Sequence, residues 1–377
     1  MKNIGLLWIA ALILAACSGN RKMSVRVAND SPSDRSGELV EVAWEDISAR
    51  ISPLDTARLV VIDQSGNQLP CQLVYEGKPG VQKLVFPASV KAGSSAHYML
   101  TTETPRSFAP AAYGRLVPER KDDFAWENDR VAFRMYGPAL EATGEISNGI
   151  DLWVKCTDSL VIDRWYKNDL AGKASYHKNH GEGLDCYKVG RTLGLGAAAP
   201  FVNDTLWLGK NFVKSEVLDN GPLRTTFRLT YAPFDVNGQP VTETRTFSLD
   251  AGSHMNKVTE HFSLEAGAMP LAAGIVLRPE GGERKFSAAD GYAAYAEPET
   301  ADGIIYAAVV SPFSFKEVKE SCGHLLSIGE CRKGSDYVYY TGGGWSKGGF
   351  PAPADWFDYV SGFASALRYP LSVTIVE

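Results

Sequence analysis

Between residues 23 and 104 the chain alternates short apolar segments with turn segments. The apolar segments read VRVAN, GELVEVAW, ARLVVID, CQLVYE, QKLVFP and AHYMLTT, and SPSD, QSGN, EGKPG and KAGSS lie among the turns. Short apolar or alternating runs bounded by Gly, Pro, Asn, Asp and Ser are typical of β-strands joined by tight turns. We therefore predict a small N-terminal β-sandwich or barrel over residues 23–104.

The segment 105–121, PRSFAPAAYGRLVPERK, contains three prolines and predicts a linker. From residue 122 onward the strand pattern resumes, because apolar side chains occupy every second position of 131–136 and Asn-Gly pairs suited to hairpins recur. A short helix is predicted over 354–367, just after a proline. The sequence thus predicts an all-β chain whose second part, 122–377, is a large antiparallel β-sandwich.

One stretch breaks this pattern. Residues 165–196 read WYKNDLAGKASYHKNHGEGLDCYKVGRTLGLG and include six glycines. Because glycine loses more conformational entropy in a helix than other residues do, we predict a long irregular loop here. Long loops in compact domains commonly carry function. Two of the six histidines of the chain lie in this loop, beside acidic, tyrosine and basic side chains, so we expect the functional site there.

Composition narrows the class of ligand. The net charge of -6 argues against a nucleic-acid partner, which would need a basic surface. Eight Trp and sixteen Tyr fit a turn-rich β protein, and their ring faces also suit stacking on sugars.

The N-terminus reads as a targeting segment. Lys2 precedes an apolar run from Ile4 to Ala16 that is too short for a mature membrane span, and the run ends in Leu-Ala-Ala-Cys at Cys17. This ending resembles the bacterial lipoprotein box, which implies a signal peptide and lipid attached to Cys17. Since no acidic cluster follows Cys17, we expect a lipid anchor in the outer membrane facing the periplasm, and no other membrane contact.

Five further cysteines, at positions 71, 156, 186, 322 and 331, lie in a compartment that permits disulfides. Cys322 and Cys331 are spaced to bridge a hairpin, and the odd count leaves at least one free thiol. No CxxC pair is present, which argues against a thiolate zinc site.

Four motifs resemble a known family. WENDRVAFRMYGP, DRWYKND, YHKNHGEGLDCYKVGRTLGLG and TGGGW are similar to an uncharacterised lipoprotein family of Bacteroidota that is catalogued as a domain of unknown function. Its members are often encoded beside polysaccharide-utilisation genes. At fold level the large domain is similar to the galactose-mutarotase-like supersandwich. The resemblance implies a carbohydrate substrate but assigns no catalytic residue, and fold does not fix function.

The central loop offers two chemistries. His177 and His180, with Tyr176 or Tyr187 as a partner, suit acid–base catalysis near neutral pH. Alternatively, the two histidines with Glu182 or Asp185 form the ligand set of a divalent metal such as zinc or manganese. We predict catalysis without a cofactor and keep the metal as the alternative.

Other side chains are candidates for binding the substrate. A tryptophan can stack on a sugar ring, and an arginine can hold a carboxylate through two parallel hydrogen bonds. Those in or beside the loop are Arg164, Trp165, Asp185, Lys188 and Arg191. More distant candidates are His261 on a strand with polar residues on both faces, Arg278 at a strand end, and Trp345 in the glycine-rich TGGGWSK segment.

These observations predict a carbohydrate-active enzyme that acts on a uronic-acid-containing oligosaccharide by β-elimination. That reaction needs a base for the C5 proton, an acid for the leaving oxygen and a cation for the carboxylate. An epimerase or a glycoside hydrolase would use similar groups, and a non-catalytic glycan-binding lipoprotein is the alternative from another class.

Overall fold

A computed structural model describes residues 22–51, 55–265 and 267–376. The predicted signal peptide 1–17 with Cys17 lies outside the described residues. Over the part that is described, no helix is long and apolar enough to cross a membrane. The chain is mainly antiparallel β-structure, so the all-β prediction is confirmed.

The strands alternate with turns along the whole chain. In chain order they are β1 (Met23–Asn29), β2 (Arg35–Ala43), β3 (Leu59–Ile62), β4 (Gln68–Leu69), β5 (Gln72–Val74), β6 (Lys83–Val90), β7 (Ser94–Thr102), β8 (Ala112–Val117), β9 (Asp123–Asn128), β10 (Val131–Met135), β11 (Asp151–Lys155), β12 (Gly183–Asp185), β13 (Leu195–Val202), β14 (Thr205–Leu206), β15 (Phe212–Asn220), β16 (Arg224–Tyr231), β17 (Phe234–Val236), β18 (Gln239–Val241), β19 (Glu243–Asp250), β20 (Met255–Phe262), β21 (Ala268–Val276), β22 (Glu283–Ser287), β23 (Tyr292–Ala296), β24 (Ile305–Val310), β25 (Glu317–Ser321), β26 (His324–Arg332), β27 (Tyr337–Trp345) and β28 (Ser372–Val376).

The α-helices of the described residues are α1 (Trp44–Arg50), α2 (Pro138–Glu141), α3 (Ile162–Leu170) and α4 (Pro353–Arg368). Helix α4 matches the helix that the sequence predicts over 354–367, and it packs on β23 and β24. Turns of 3-10 helix lie at Thr56–Arg58 and Pro118–Arg120.

The N-terminal sandwich has two sheets. One has the strand order β28-β1-β7-β3-β4 and the other β2-β6-β5. The last strand of the chain, β28, therefore pairs antiparallel with β1 rather than with the large domain, which differs from the predicted boundary. Apolar side chains of both sheets, such as Val25, Phe86 and Leu100, form its core.

The large domain is built from three larger sheets and the two-stranded sheet β17-β18. The strand orders of the larger sheets are β12-β11-β10-β9-β8, β14-β13-β21-β26-β25 and the eight-stranded β15-β16-β19-β20-β27-β24-β23-β22. Strand β8 pairs with β9, so residues 112–117 of the predicted linker belong to the large domain. The inner face of the β8–β12 sheet joins the main core, where Phe124 stacks on Phe227 at 3.9 Å and Trp126 packs on Phe247 at 5.0 Å.

Polar contacts fix the two domains together. The Asp219 carboxylate accepts hydrogen bonds from the amides of Tyr75 and Glu76 at 2.6 and 2.8 Å. Arg224 donates to Glu41 of the N-terminal sandwich at 2.5 Å and also binds Asp250. These bonds satisfy main-chain and charged groups on both sides of the interface between the two domains. They therefore specify how the two domains pack against each other.

The outer face of the β8–β12 sheet is covered by α3. Ile162, Trp165 and Tyr166 are spaced for one helical face, and they pack on Trp153 of β11 and on Tyr176. The helix ends at Leu170 and is followed by Ala171 and then by Gly172, whose φ of 65° is left-handed.

The predicted irregular loop is therefore only partly irregular. Residues 165–170 are helical and 183–185 form β12, because the glycines begin only after α3 ends. The predicted bridge between Cys322 and Cys331 is wrong. Both thiols are free, since Cys322 lies in the turn between β25 and β26 whereas Cys331 lies near the far end of β26.

Candidate functional site

Helix α3 and the segment that follows it enclose a small pocket. The cavity measures about 40 Å³, which is room for a few water molecules. It is lined by Arg164, Trp165, Asn168, Ala174, Ser175, Tyr176, Lys178, His180, Glu182 and Gly183. Five of the thirteen residues predicted for the site thus lie on one pocket: Arg164, Trp165, Tyr176, His180 and Glu182.

The N-terminus of α3 is held by a buried carboxylate. Glu127 accepts hydrogen bonds from the amides of Val161 and Ile162 at 2.7 to 2.8 Å, and from the Lys155 ammonium at 2.8 Å. The first amides of a helix have no partner within the helix, and a negative charge there is favourable. Glu127 thereby fixes the helix that carries three of the pocket residues, Arg164, Trp165 and Asn168.

Arg164 and Trp165 are already engaged in contacts of the protein. Arg164 donates to both oxygens of Glu182, at 2.5 and 2.9 Å, so its fork is occupied by a carboxylate of the chain. Trp165 is 8% exposed and stacks on Trp153, with 5.8 Å between ring centroids. Tyr176 stacks on Trp153 as well, with 4.8 Å between ring centroids. The pocket therefore has an aromatic wall with a rigid backing.

The two histidines point in different directions. His180 lies in the pocket, and its Nε2 is 3.0 Å from the carbonyl oxygen of Ser175. Because a carbonyl only accepts, Nε2 donates this hydrogen bond, and in the neutral form of the ring Nδ1 then carries the lone pair. His177 is directed away, with Nδ1 3.1 Å from the Asp185 carbonyl oxygen and 3.5 Å from its Oδ2. A base that faces the pocket is thus His180.

The alternative metal site does not form in this arrangement. His177, His180 and Glu182 each contact a different partner, namely Asp185, Ser175 and Arg164. Within residues 22–51, 55–265 and 267–376, no group of three His, Cys, Asp or Glu side chains is placed to hold a metal ion.

A buried charged cluster lies beneath Tyr176, on the outer face of the β8–β12 sheet. Arg134 contacts Asp151 at 2.6 Å and Asp185 at 2.8 Å through the same nitrogen, Nη2. Its Nε lies 4.0 Å from Asp123, and its Nη1 lies 3.4 Å from the Tyr176 hydroxyl. All four charged side chains are nearly inaccessible to solvent.

Burial changes the protonation of these acids. It raises the pKa of Asp123 to about 6, although Arg134 and Arg120 are close. Burial and the neighbouring Asp151 also raise the pKa of Asp185 above its usual range. Perturbed carboxylates beside a pocket are typical of functional sites, although structural ion-pair networks show them as well.

Sequence reasoning missed most of this cluster. Of its members only Asp185 and Tyr176 were candidates, whereas Arg134, Asp123 and Asp151 were not. The available signal was that Arg134 lies at the outward position of the predicted strand 131–136, shortly before the motif DRWYKND; Asp151 lies opposite Arg134 on the adjacent strand β11. A helix with an apolar face must bury that face against another part of the protein, so the residues beneath it become buried as well.

A second group of predicted residues meets away from the pocket lining. Arg278 donates to Glu297 at 2.6 Å and to the carbonyl oxygen of Lys188 at 2.8 Å, and its guanidinium lies 4.8 Å from the centre of the Tyr187 ring. Tyr187 is buried. The charge of Arg278 is therefore balanced by Glu297, and the Lys188 side chain is exposed.

Three predicted residues have other roles. Arg191 donates to the carbonyl oxygens of Gly209 and Leu208 and so fastens the chain before β15. His261 is exposed on β20 and pairs with Asp336 at 3.0 Å. Trp345 is 1% exposed and its Nε1 donates to the Asp302 carbonyl oxygen, so it offers no ring face to a sugar.

Comparison with known proteins places the chain in a family. Residues 27–373 match the family described as domain of unknown function DUF4861. The chain belongs to this family. It is also 30% identical to the uncharacterized protein P7 of Formosa agariphila, over the full length of both chains.

Two solved structures resemble the chain more distantly. A glycosyl hydrolase family 38 protein from Enterococcus faecalis superposes with a TM-score of 0.46, and an alpha-mannosidase from Enterococcus faecalis V583 with 0.47, each at 11% identity. Both matches cover 94% of this chain, which spans about half the length of either structure, 47% and 46%.

Proposed function

We propose that this member of the DUF4861 family is a carbohydrate-active enzyme that cleaves a uronic-acid-containing oligosaccharide by β-elimination at the α3 pocket. The observation that carries the proposal is the placement of His180, a ring with a free Nδ1 lone pair, beside two cations in one aromatic-walled pocket. Pockets with a few convergent polar groups are the usual sites of small-molecule chemistry.

The charge of the pocket supports an acidic substrate. Its lining carries Arg164 and Lys178 against one carboxylate, Glu182, which leaves an excess of one positive charge. Among the described residues, Lys178 has no carboxylate within salt-bridge distance, so its ammonium is the group we assign to the uronate. The cavity of about 40 Å³ admits a carboxylate rather than a whole ring, which leaves the sugar ring at the mouth.

The proposed step transfers one proton and breaks one bond. His180 Nδ1 takes the proton from C5, the C5 electron pair forms the C4–C5 double bond, and the bond from C4 to the leaving oxygen breaks. The imidazolium then returns its proton to that oxygen. Lys178 stabilises the negative charge that develops on the carboxylate during proton removal.

Hydrolysis by two carboxylates fits this pocket less well. That mechanism needs a pair of acids about 5 to 10 Å apart across the scissile bond. The pocket lining holds a single acid, Glu182, and both of its oxygens are bound by Arg164. A non-catalytic glycan-binding role stays the alternative, and it predicts affinity without turnover.

A substitution of His180 tests the proposal. We expect His180→Ala to lower kcat on an acidic oligosaccharide by at least 100-fold, which is the low end for loss of a general base, while Kd changes little. His261→Ala is the matched control, because it removes an exposed histidine outside the pocket. Equal turnover in the His180→Ala and His261→Ala proteins would exclude His180 as the base.

We further propose that Cys17 carries the lipid anchor and that the domains face the periplasm. The lipoprotein-box resemblance at Cys17 supports this proposal. Metabolic labelling with a fatty-acid analogue tests it, because label should disappear in a Cys17→Ala variant.

A further inference from the structure

A second cavity lies in the N-terminal sandwich. It measures about 160 Å³, against about 40 Å³ for the α3 pocket, and no residue lines both. An apolar cavity of about 150 Å³ engineered in another protein binds benzene. The volume of the second cavity therefore matches a ligand of the size of one six-membered ring.

The cavity lies where the chain crosses from one sheet of the sandwich to the other. Strand β4 ends at Leu69 as the edge of the first sheet, and β5 begins at Gln72 as the edge of the second. Pro70 stands between them, and its missing amide hydrogen cannot continue the hydrogen bonds of the first sheet. The two edge strands are only two and three residues long, so they cover little of the space between the sheets.

A segment of the predicted linker lies across this opening. Residues 103–110, which we call the strap, have no regular secondary structure. The side chain of Gln68 holds the strap at both ends of its amide group. Its Oε1 accepts from the Arg106 amide at 2.9 Å, and its Nε2 donates to the Thr104 carbonyl oxygen at 3.2 Å. These bonds fix the strap in a position from which Pro105, Arg106 and Phe108 line the cavity.

The inner wall of the cavity is apolar. Four leucines line it, namely Leu59, Leu69, Leu73 and Leu84. Burial raises the pKa of the Cys71 thiol to about 11, so this thiol stays protonated at neutral pH and behaves as a small apolar group. A sugar ring would bury its hydroxyl groups here without partners, which is costly, whereas an apolar ring gains by leaving water.

The mouth of the cavity carries a positive charge. Arg106 is exposed, and among the residues that the structure describes no carboxylate lies within salt-bridge distance of its guanidinium. Glu103, the acid of the strap, accepts from Gln68 at 3.3 Å and does not line the cavity. Phe108 beside it is 39% exposed, so its ring is available to stack on an aromatic ligand.

We propose that this cavity is a binding site for a small aromatic carboxylate, with the ring among the leucines and the carboxylate on the Arg106 guanidinium. The volume selects one ring, the apolar wall selects against a sugar, and the cation at the mouth selects an anionic group. This binding function of the N-terminal sandwich does not depend on the proposed function, because the two cavities share no residue.

Benzoate is the probe, because it joins one ring to one carboxylate. Benzyl alcohol lacks the charge, acetate lacks the ring, hexanoate has an alkyl chain in place of the ring, and galacturonate is an acidic sugar. Calorimetry would measure the binding of each to protein that begins just after Cys17 and to three variants. Arg106→Gln removes the cation, and Cys71→Leu fills part of the cavity. Arg26→Gln is the matched control, since Arg26 is exposed in the same domain and does not line the cavity.

We expect benzoate to bind saturably, and acetate to bind about 50-fold more weakly because it buries no ring. Arg106→Gln should weaken benzoate about fivefold, the upper end for an exposed ion pair, and leave benzyl alcohol unchanged. Cys71→Leu should abolish the binding of both at an unchanged melting temperature, and Arg26→Gln should change neither.

Absence of benzoate binding, or an affinity that Arg106→Gln does not lower, would overturn the site. The Arg106→Gln comparison decides this even where Cys71→Leu fails to fold, because the Arg106 side chain is exposed. Tighter binding of hexanoate than of benzoate would overturn the aromatic class. Displacement of benzoate by galacturonate would overturn the selection against sugars.

Discussion

Replacement of Glu127 by alanine should remove the hydrogen bonds that hold the N-terminus of α3. It should also leave the Lys155 ammonium buried without its carboxylate partner. The Lys155 ammonium has no exposed surface, and its contacts are Glu127 at 2.8 Å and the Asn128 carbonyl oxygen at 2.7 Å. Removing one partner of such a pair costs about 3–5 kcal/mol, because the other charge stays in the interior. Loss of the cap on Val161 and Ile162 adds about 1 kcal/mol. The expected total is about 4–6 kcal/mol.

The cost should fall when both charges are removed. In a Glu127→Leu, Lys155→Met variant no buried charge is left, so only the cap term of about 1 kcal/mol and any packing change remain. Wild type, Glu127→Leu, Lys155→Met and the double variant together form a double-mutant cycle. Urea titration followed by tryptophan fluorescence measures the free energy of unfolding of each of these four proteins. The unfolding free energies should couple by at least 2 kcal/mol.

The cycle also has a functional readout. Because α3 carries Arg164 and Trp165, the Glu127 variants should bind substrate less well even at temperatures where they stay folded. Additive free energies across the cycle, with no coupling between Glu127 and Lys155, would refute the claim that this buried pair organises the helix.

Three further outcomes follow from the structure. Burial raises the pKa of Glu41, but the charges of Arg224 and Lys83 outweigh burial and lower that pKa to about 2. Glu41 should therefore stabilise the interface between the two domains above pH 4.5, and this stabilisation should be lost as the pH falls towards 2. In the Glu41→Gln protein the free energy of unfolding should depend less on pH within that window, and an unchanged dependence would contradict the assignment. Gly183→Ala should destabilise the protein by more than 2 kcal/mol, since φ is 127° and a Cβ would lie 2.0 Å from the Val154 carbonyl oxygen; a melting temperature equal to that of wild type would contradict it. Dithiothreitol should leave the melting temperature unchanged because all cysteines of the described residues are free, and a reductant-dependent shift would reveal a disulfide.

The strands, and the stretch of chain that lines the candidate pocket, could be predicted from the sequence because both depend on local patterns. Alternation of apolar residues fixes the strand period, and a dense group of histidines, acids and glycines marks the site. The helical start of that stretch could be read as well, since Ile162, Trp165 and Tyr166 have helical spacing and the first glycine follows only at 172.

The buried cluster could not be predicted in the same way. Arg134 sits at an outward position of β10, where an arginine is normally solvated, and only the packing of α3 over that face buries it. The direction of His177 also depends on a tertiary contact with Asp185 of β12. The Asp185 amide donates a hydrogen bond to the carbonyl oxygen of Tyr176, and the Asp185 carbonyl oxygen lies within hydrogen-bond distance of the His177 imidazole. Side-chain direction in a loop is set by such contacts and not by spacing.

The most direct test of the proposed chemistry is the mass of the products. Protein that begins just after Cys17 would be incubated with a panel of acidic oligosaccharides, and the products weighed by mass spectrometry. β-Elimination predicts fragments whose masses sum to that of the substrate, one of them with an ultraviolet-absorbing double bond, and no products from the His180→Ala protein. Fragments that together exceed the substrate by one water, or no fragments from any sugar tested, would contradict it.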